Sequence, residues 1–478
     1  MTLGVAQALG WIGAIALALA LPRYLGDVGL GKFAFAFAIT RLVGLTAELG
    51  TATYLAKTIA QDRSRASGLA AALVLRLPLG AIAALMAMAV ARSGAHDAAS
   101  IRVVDVLAYG LIVDAALTVV QGALQGHGRM RAYATCGLVS KLGFGALGTA
   151  AVMSGGGPVG VALSWVGAQT VALAVGFAFL GPVRLEGARE LGAWRTVLLG
   201  GLPFFIWQGA LMVYGQIDAV ILSFVSGDAA VGWYSAAYRI VTIPGALPTI
   251  LMTVLLPALA AAAVEPARLR RLTRRAVEAA IVLTVPTAIG TAVLAAQIID
   301  AVGYPAAFQH SVVLIILLAP SLPLVAVDMM VGTALNASDR QRRWAMVAVA
   351  AAVLNPLVNI VAIPLAHERW GNGAIAAAGV TTATELFLLV AGILLLPRRT
   401  LDRATLGFAA RVGAAGAVMG LALIPARDLP IIVPVTLGAV VYCLASLALR
   451  TVTADDLRQI ARHVRPRTPA RVLVEVGT

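Results

Sequence analysis

Residues 123–134 (ALQGHGRMRAYA) and 334–345 (ALNASDRQRRWA) align without a gap at a separation of 211 residues. Each copy closes a long apolar stretch and crosses a short polar turn carrying two arginines in register, Arg129 with Arg340 and Arg131 with Arg342. Each then opens another apolar stretch with an aromatic residue. A second echo sets Gly31-Lys32-Phe33-Ala34-Phe35 against Gly232-Trp233-Tyr234-Ser235-Ala236 at 201 residues, and a third pairs Gly160-Val161-Ala162 with Gly373-Ala374-Ile375. Three echoes at nearly one offset mark an internal duplication. Any fold for this chain has to place two similar halves.

The material of those halves is bilayer material. Hydrophobic residues make up 60% of the 478 and charged residues 12%, against about 25% charged in soluble domains. Runs able to cross roughly 30 Å of hydrocarbon need about 20 residues. Such runs lie near 2–21, 33–55, 67–91, 103–124, 133–153, 159–180, 196–224, 234–259, 276–299, 310–335, 344–364, 372–396, 404–424 and 431–449. The expected fold is an all-α polytopic membrane protein of about fourteen helices. Six spans separate equivalent positions, and an even number leaves both copies in the same orientation, so the repeat is parallel, about an axis along the membrane normal. The expected divisions are an N-terminal six-helix lobe (1–180), a cytoplasmic linker (181–195), a second six-helix lobe (196–396), two extra helices (397–449) and a basic cytoplasmic tail (450–478). Pro78, Pro203, Pro244, Pro248, Pro286, Pro320 and Pro323 fall within spans and predict kinks. The first apolar run lacks a basic leader and a cleavage site, so it reads as a retained helix.

With both ends cytoplasmic, inner loops and tail hold 25 of the 36 Lys and Arg residues and outer loops hold 6. This positive-inside bias sets the orientation. It also accounts for the net charge of +14 through anionic lipid headgroups, with no nucleic acid required. The connections are too short for a soluble catalytic domain, which argues against an enzyme. The five histidines show no metal-ligand spacing, no phosphate-binding Gly-rich loop occurs, and Cys136 and Cys443 sit singly in apolar spans, so neither metal, cofactor nor disulfide is expected. In the tail, Thr453 to Asp456 resembles a capping box ahead of an amphipathic turn from Leu457 to Val464, a solvated segment resting on lipid or touching assembly proteins.

Ionisable groups inside spans carry the functional signal, since each costs about 2.5–3.5 kcal/mol at a helix centre and must face protein or water. They are Arg41, Glu48, Arg76, Asp105, Asp114 and Lys141 in the first half, and Asp218, Arg239, Glu278, Asp328 and Glu385 in the second, with Arg411 in the appended pair. Arg41 and Glu48 are seven residues apart, two helical turns along one face. Asp105 reads as interfacial and Glu278 as structural. Arg41 and Arg239 follow equivalent Gly-aromatic starts, and their planar donors suit phosphate oxygens. Trp11, Trp165, Trp207 and Tyr214 are candidates to stack on sugar rings, against the commoner core placement.

Asp218-Ala219-Val220-Ile221-Leu222, then Val231 to Ile240 (VGWYSAAYRI), then Leu255-Leu256-Pro257 resemble the polysaccharide flippase family. So do Arg23-Tyr24-Leu25-Gly26 before Gly31-Lys32-Phe33, and Asn355-Pro356-Leu357-Val358-Asn359 before Ile363-Pro364. The resemblance extends over nearly the whole chain and implies the multidrug/oligosaccharidyl-lipid/polysaccharide exporter superfamily. It implies a flippase of the bacterial inner membrane moving a polyprenyl-pyrophosphate-linked oligosaccharide, an O-antigen or exopolysaccharide repeat unit, to the outer leaflet by alternating access. Arg41 and Arg239 stand where that family places pyrophosphate-binding cations, and Arg76 and Lys141 join them by depth in the bilayer. Asp114, Asp218, Asp328, Glu385 and Glu48 are the ion-coupling candidates. A drug/cation antiporter of the same superfamily is the alternative, ahead of a lipid II flippase or a membrane glycan enzyme.

Overall fold

The computed structural model describes residues 3–62, 67–94, 96–181, 191–262, 265–398 and 400–451. The tail segment expected at 453–464, most of the linker at 181–195, and Arg63, Arg65 and Arg399 lie outside the described residues. All regular structure among the described residues is helical. Among the described residues ten helices are long and apolar enough to cross a membrane, or up to 11 when one bent pair counts as a single span, and Ile432–Ala448 is apolar but shorter.

The first half comprises α1 (Leu3–Glu48), α2 (Thr51–Gln61), α3 (Ser67–Ser93), α4 (Ala98–Gly126), α5 (Met130–Met153) and α6 (Gly157–Leu180). The second comprises α7 (Leu191–Thr242), α8 (Ala246–Ala262), α9 (Pro266–Val293), α10 (Ala295–Val302), α11 (His310–Leu318), α12 (Ser321–Ala337), α13 (Gln341–Trp370) and α14 (Ala374–Leu395). Next come α15 (Arg403–Leu423) and α16 (Ile432–Ala448).

Where a loop was expected between the first two spans, α1 stays helical except at Gly26, whose φ of 69° and ψ of −178° only glycine adopts without strain. One residue suffices to turn the chain. Before it, α1 lies beside α5, Gly10 against Lys141 and Gly13 against Gly145; after it, Gly44 lies against Leu111 and, on α2, Ala52 against Gly122 of α4. Since α4 and α5 run in opposite senses, the two parts of α1 do too. Helix α7 repeats the device at Gly227, φ 79° and ψ 178°, 201 residues on. The spans expected at 33–55, 234–259 and 310–335 are interrupted, at Leu49–Gly50, at a 3-10 turn Ile243–Gly245, and by a 42° bend between α11 and α12. Pro244 and Pro320 lie at two of these breaks, where a missing N–H weakens the ladder. Pro78 and Pro286, by contrast, sit inside unbroken α3 and α9.

The largest buried cluster joins α1, α3, α4, α6 and α7 with α11 and α14. At its centre α1 and α7 touch backbone to backbone: a Cβ on Gly31 would collide with the carbonyl oxygen of Asp228, and one on Gly232 with that of Asp27. Both partners are related by the same 201-residue offset, so the contact is reciprocal. A collar of side chains surrounds it. Trp233 Nε1 donates to Asp27 at 3.0 Å, Ser100 Oγ to Asp228 at 3.2 Å, and Lys32 bonds Asp97. That ammonium, with the Ser100 donors, holds the Asp97 carboxyl well below the usual range. His96 stacks on Phe35 at 4.2 Å, and its burial lowers its pKa.

The duplicated polar turns also match. Gly128 and Asp339, 211 residues apart, both have positive φ, 72° and 57°. The next residue in each copy is an arginine that reaches the end of another helix: Arg129 donates to the Phe179 carbonyl at 2.6 Å and Arg340 to that of Leu395. The last carbonyls of a helix lack intrahelical partners, so these arginines cap α6 and α14. We expect Arg129→Ala and Arg340→Ala each to cost about 1–2 kcal/mol, read as a lower unfolding temperature of the purified protein. For the reciprocal contact, cysteines replacing Asp27 and Trp233, in a chain with Cys136 and Cys443 changed to Ser, should cross-link readily; adding Gly31→Val should abolish the cross-link, and undiminished yield would show that the backbones need not touch.

Candidate functional site

Two cavities collect six of the ionisable groups within the spans, Arg41, Glu48, Arg76 and Asp114 in one and Asp218 and Arg239 in the other. The smaller is lined by Arg41 and Glu48 of α1, Arg76 of α3 and Asp114 of α4, with small residues such as Gly44 and Ala47 giving them room. Two helical turns along one face of α1 therefore do place Arg41 and Glu48 on one wall. Arg76 is 1% exposed; its Nε donates to the Ala47 carbonyl at 3.0 Å and its Nη1 has no partner. Arg41 Nη1 lies 3.8 Å from Asp114 Oδ2, while Asp114 Oδ1 accepts from Gln169 Nε2 of α6 at 2.7 Å. Gln169 is held in turn by Ser140 of α5.

The larger cavity, about 310 Å³, opens between α1 and α7. Its apolar wall is aromatic: Phe33 and Phe37 from α1, Tyr214, Tyr234 and Tyr238 from α7. Phe33 and Phe37 correspond to Tyr234 and Tyr238 at the 201-residue offset, so the duplication supplies both sides of the chamber. Asp218 forms part of its polar wall. This carboxylate is buried and accepts from Asn359 of α13 at 2.7 Å, from Tyr234 at 2.9 Å and from Thr381 of α14 at 3.0 Å. All three donors are neutral. Asn359 also donates to Asn355 at 3.1 Å, which donates to Thr384 at 3.2 Å. Tyr214 bonds Glu385 on α14.

Arg239 lines the same chamber. Among the described residues its guanidinium forms neither a hydrogen bond nor an ion pair, and its electrostatic neighbour is the phenol of Tyr304. A guanidinium left without a counter-ion beside a wall of aromatic rings is equipped to receive an anion attached to a ring-bearing molecule. A carboxylate ringed by neutral donors can hold a proton or a small cation without losing a salt bridge.

The remaining candidates lie apart. Arg41 and Arg239 line different cavities rather than one. Lys141 is exposed and packs against Gly10, on neither wall. Asp328, on α12, has a buried oxygen without a partner and Glu385 as its charged neighbour. Asp105 pairs with Arg92 at 2.8 Å and Glu278 with Arg274 at 2.9 Å, and neither lines either cavity. Trp165 is buried against Phe37, Tyr214 lines the larger chamber, and the side chains of Trp11 and Trp207 lie outside the described residues. Sequence reasoning passed over Phe33, Phe37, Tyr234, Tyr238, Asn355, Asn359, Gln169 and Ser140. The second echo contained the signal for the four aromatics, since it aligns Phe33 with Tyr234.

The solved structures it resembles are transporters. A structure of the lipid II flippase MurJ in an inward closed conformation shares 12% identity at a TM-score of 0.76, over 94% of this chain and 98% of that one. An inward-facing multidrug resistance MATE family transporter of the MOP superfamily shares 14% at 0.64, over 82% and 97%. A MOP superfamily transporter from Pyrococcus furiosus shares 15% at 0.52, over 87% and 94%. These likenesses establish the fold. No curated protein sequence matches the chain. A sequence profile described as polysaccharide biosynthesis protein matches residues 3–262, more than half of the 478 and including α1, α7 and both of their glycine turns. The chain therefore belongs to the polysaccharide biosynthesis protein family and has the fold of the MurJ and MATE transporters.

Proposed function

We propose that the protein is a flippase that carries a polyprenyl-pyrophosphate-linked oligosaccharide from the inner to the outer leaflet of a bacterial inner membrane. The observation that carries this reading is the uncompensated Arg239 in an aromatic chamber between α1 and α7. The guanidinium receives pyrophosphate, the aromatic faces take sugar rings, and the prenyl chain stays in lipid. Arg41, on the wall of the smaller cavity, supplies a second phosphate contact.

The topology in this proposal has fourteen crossings, two six-helix lobes and two appended helices, with both termini cytoplasmic. Its support is physical: at 1.5 Å per residue the 46 residues of α1 and 52 of α7 are each about twice as long as a bilayer needs, and α1 reverses at Gly26. Lobes meeting at a reciprocal glycine contact rock about that contact, opening the chamber to one side and then the other. Asp218 is the coupling residue, taking a proton or monovalent cation.

A drug/cation antiporter is the second reading, favoured by the Asp218 carboxylate on the wall of the same chamber, which suits an organic cation. One experiment separates the two. On deletion of the gene, complete lipid-linked repeat units should accumulate at the inner leaflet and clear when the wild-type gene returns. Arg41→Ala and Arg239→Ala should clear them about 10- to 100-fold more slowly, the worth of one charged hydrogen bond. Unchanged glycan intermediates with build-up of toxic organic cations would transfer the assignment to the antiporter.

Asp218→Asn should leave flipping in proteoliposomes insensitive to an imposed sodium or potassium gradient. Asp218→Ala should also lower stability by about 1–3 kcal/mol, because three buried donors lose their acceptor. A gradient response equal to wild type in the Asn variant would move the coupling role elsewhere.

A further inference from the structure

The small cavity beside Arg41 is electrically balanced as it stands: two guanidiniums, Arg41 and Arg76, face two carboxylates, Glu48 and Asp114. The four are not held equally. Arg76 is fully buried and tied to the Ala47 carbonyl. Asp114 is fixed through Oδ1 by Gln169, which Ser140 fixes in turn. Arg41 has the slack. Its 3.8 Å approach to Asp114 Oδ2 is longer than a hydrogen bond, and its side chain is 32% exposed.

We propose that Asp114 is the resident counter-ion of Arg41, that an anionic pyrophosphate diester displaces it, and that Asp114 takes up a proton when Arg41 turns away. The inference rests on the reading of Arg41 as a cargo contact. The diester brings two negative charges to a site whose charges already cancel. The groups facing Asp114 are Arg41 and Glu48 from α1, Arg76 from α3 and Gln169 from α6. Once Arg41 has gone to the anion, Arg76 is left to neutralise two carboxylates, and Gln169 is an amide with no charge to offer. A buried carboxylate that loses its cation favours its neutral form.

The step balances. The Arg41–Asp114 ion contact breaks and an Arg41–phosphate contact forms. A proton from water at the exposed side of Arg41 bonds to Asp114 Oδ2, while Oδ1 keeps its bond from Gln169. When the cargo leaves, Arg41 returns and the proton is released. Because linkage is reciprocal, a lower pH strengthens anion binding as much as anion binding draws in the proton. Gln169 and Ser140 are positioning residues in this scheme: they keep Asp114 still so that Arg41 is the member that moves.

The test uses the full chain in detergent and a water-soluble short-chain prenyl pyrophosphoryl sugar, a diester that does not titrate near neutrality. Its binding is followed calorimetrically at about pH 6 and about pH 8 in buffers of different ionisation heat, which counts protons. Wild type should bind about 5- to 10-fold tighter at the lower pH, taking up most of one proton per probe bound at about pH 6 and little at about pH 8. Asp114→Asn should bind with no proton uptake and little pH dependence, and at the higher pH more tightly than wild type, since the competing carboxylate is gone. Gln169→Met removes a donor to the charged carboxylate and should move the pH midpoint of binding upward, a shift that a merely structural residue would not give. Retention of the wild-type proton count by Asp114→Asn, or its loss in Glu48→Gln instead, overturns the inference. If wild type fails to bind the probe, or Arg41→Ala binds it as wild type does, the placement of pyrophosphate at Arg41 falls first.

Discussion

The contact between α1 and α7 at Gly31 and Gly232 governs the rest of the molecule. Each glycine admits a carbonyl oxygen of the opposite helix where any side chain would collide, and each lies five residues past a glycine whose positive φ turns its own helix. Inside lipid there is little hydrophobic gain in joining two apolar helices, so close packing of small residues has to supply the association. Backbones that touch at one level diverge beyond it, and the larger chamber lies beside this contact, its aromatic wall beginning at Phe33 and Tyr234, two residues further along each helix.

The charged side chains in and beside the spans are accommodated in four distinct ways, all answering the cost of a charge in a low dielectric. Arg129 and Arg340 are absorbed into helix ends, as donors to carbonyls that would otherwise lack partners. Arg41, Arg76, Glu48 and Asp114 cancel one another in one small cavity. Asp218 is satisfied by neutral donors from α7, α13 and α14. Arg239 alone of these is given room and aromatic surroundings but no counter-charge among the described residues, and the functional proposal stands on that difference.

Much of this was legible in the residues. The echo carrying Arg129 and Arg340 marked equivalent turns, and the structure returns the same backbone there, with positive φ at Gly128 and Asp339. The seven-residue spacing of Arg41 and Glu48 placed them on one wall because helical periodicity is local. The aromatic chamber was written in the Gly31 and Gly232 echo, though a repeat says that two segments are alike and not that they face each other. Lys141 shows where depth fails as a guide: hydropathy places a residue along the membrane normal and is silent about which way it points around the helix.

What the sequence determined by itself was the class of protein, the span-length apolar runs, the duplication and the inventory of charges. These follow from composition and from periods of 3.6 residues, 20 residues and half a chain, all properties of the covalent order. Which charge meets which partner was decided only by the tertiary structure. Asp218 and Asn359 are 141 residues apart, and Asp114 and Gln169 are 55, so their pairing depends on how whole helices rotate and pack. That rotation is set by small-residue contacts such as Gly31 on Asp228, whose energy comes from shape rather than from any pattern along the chain.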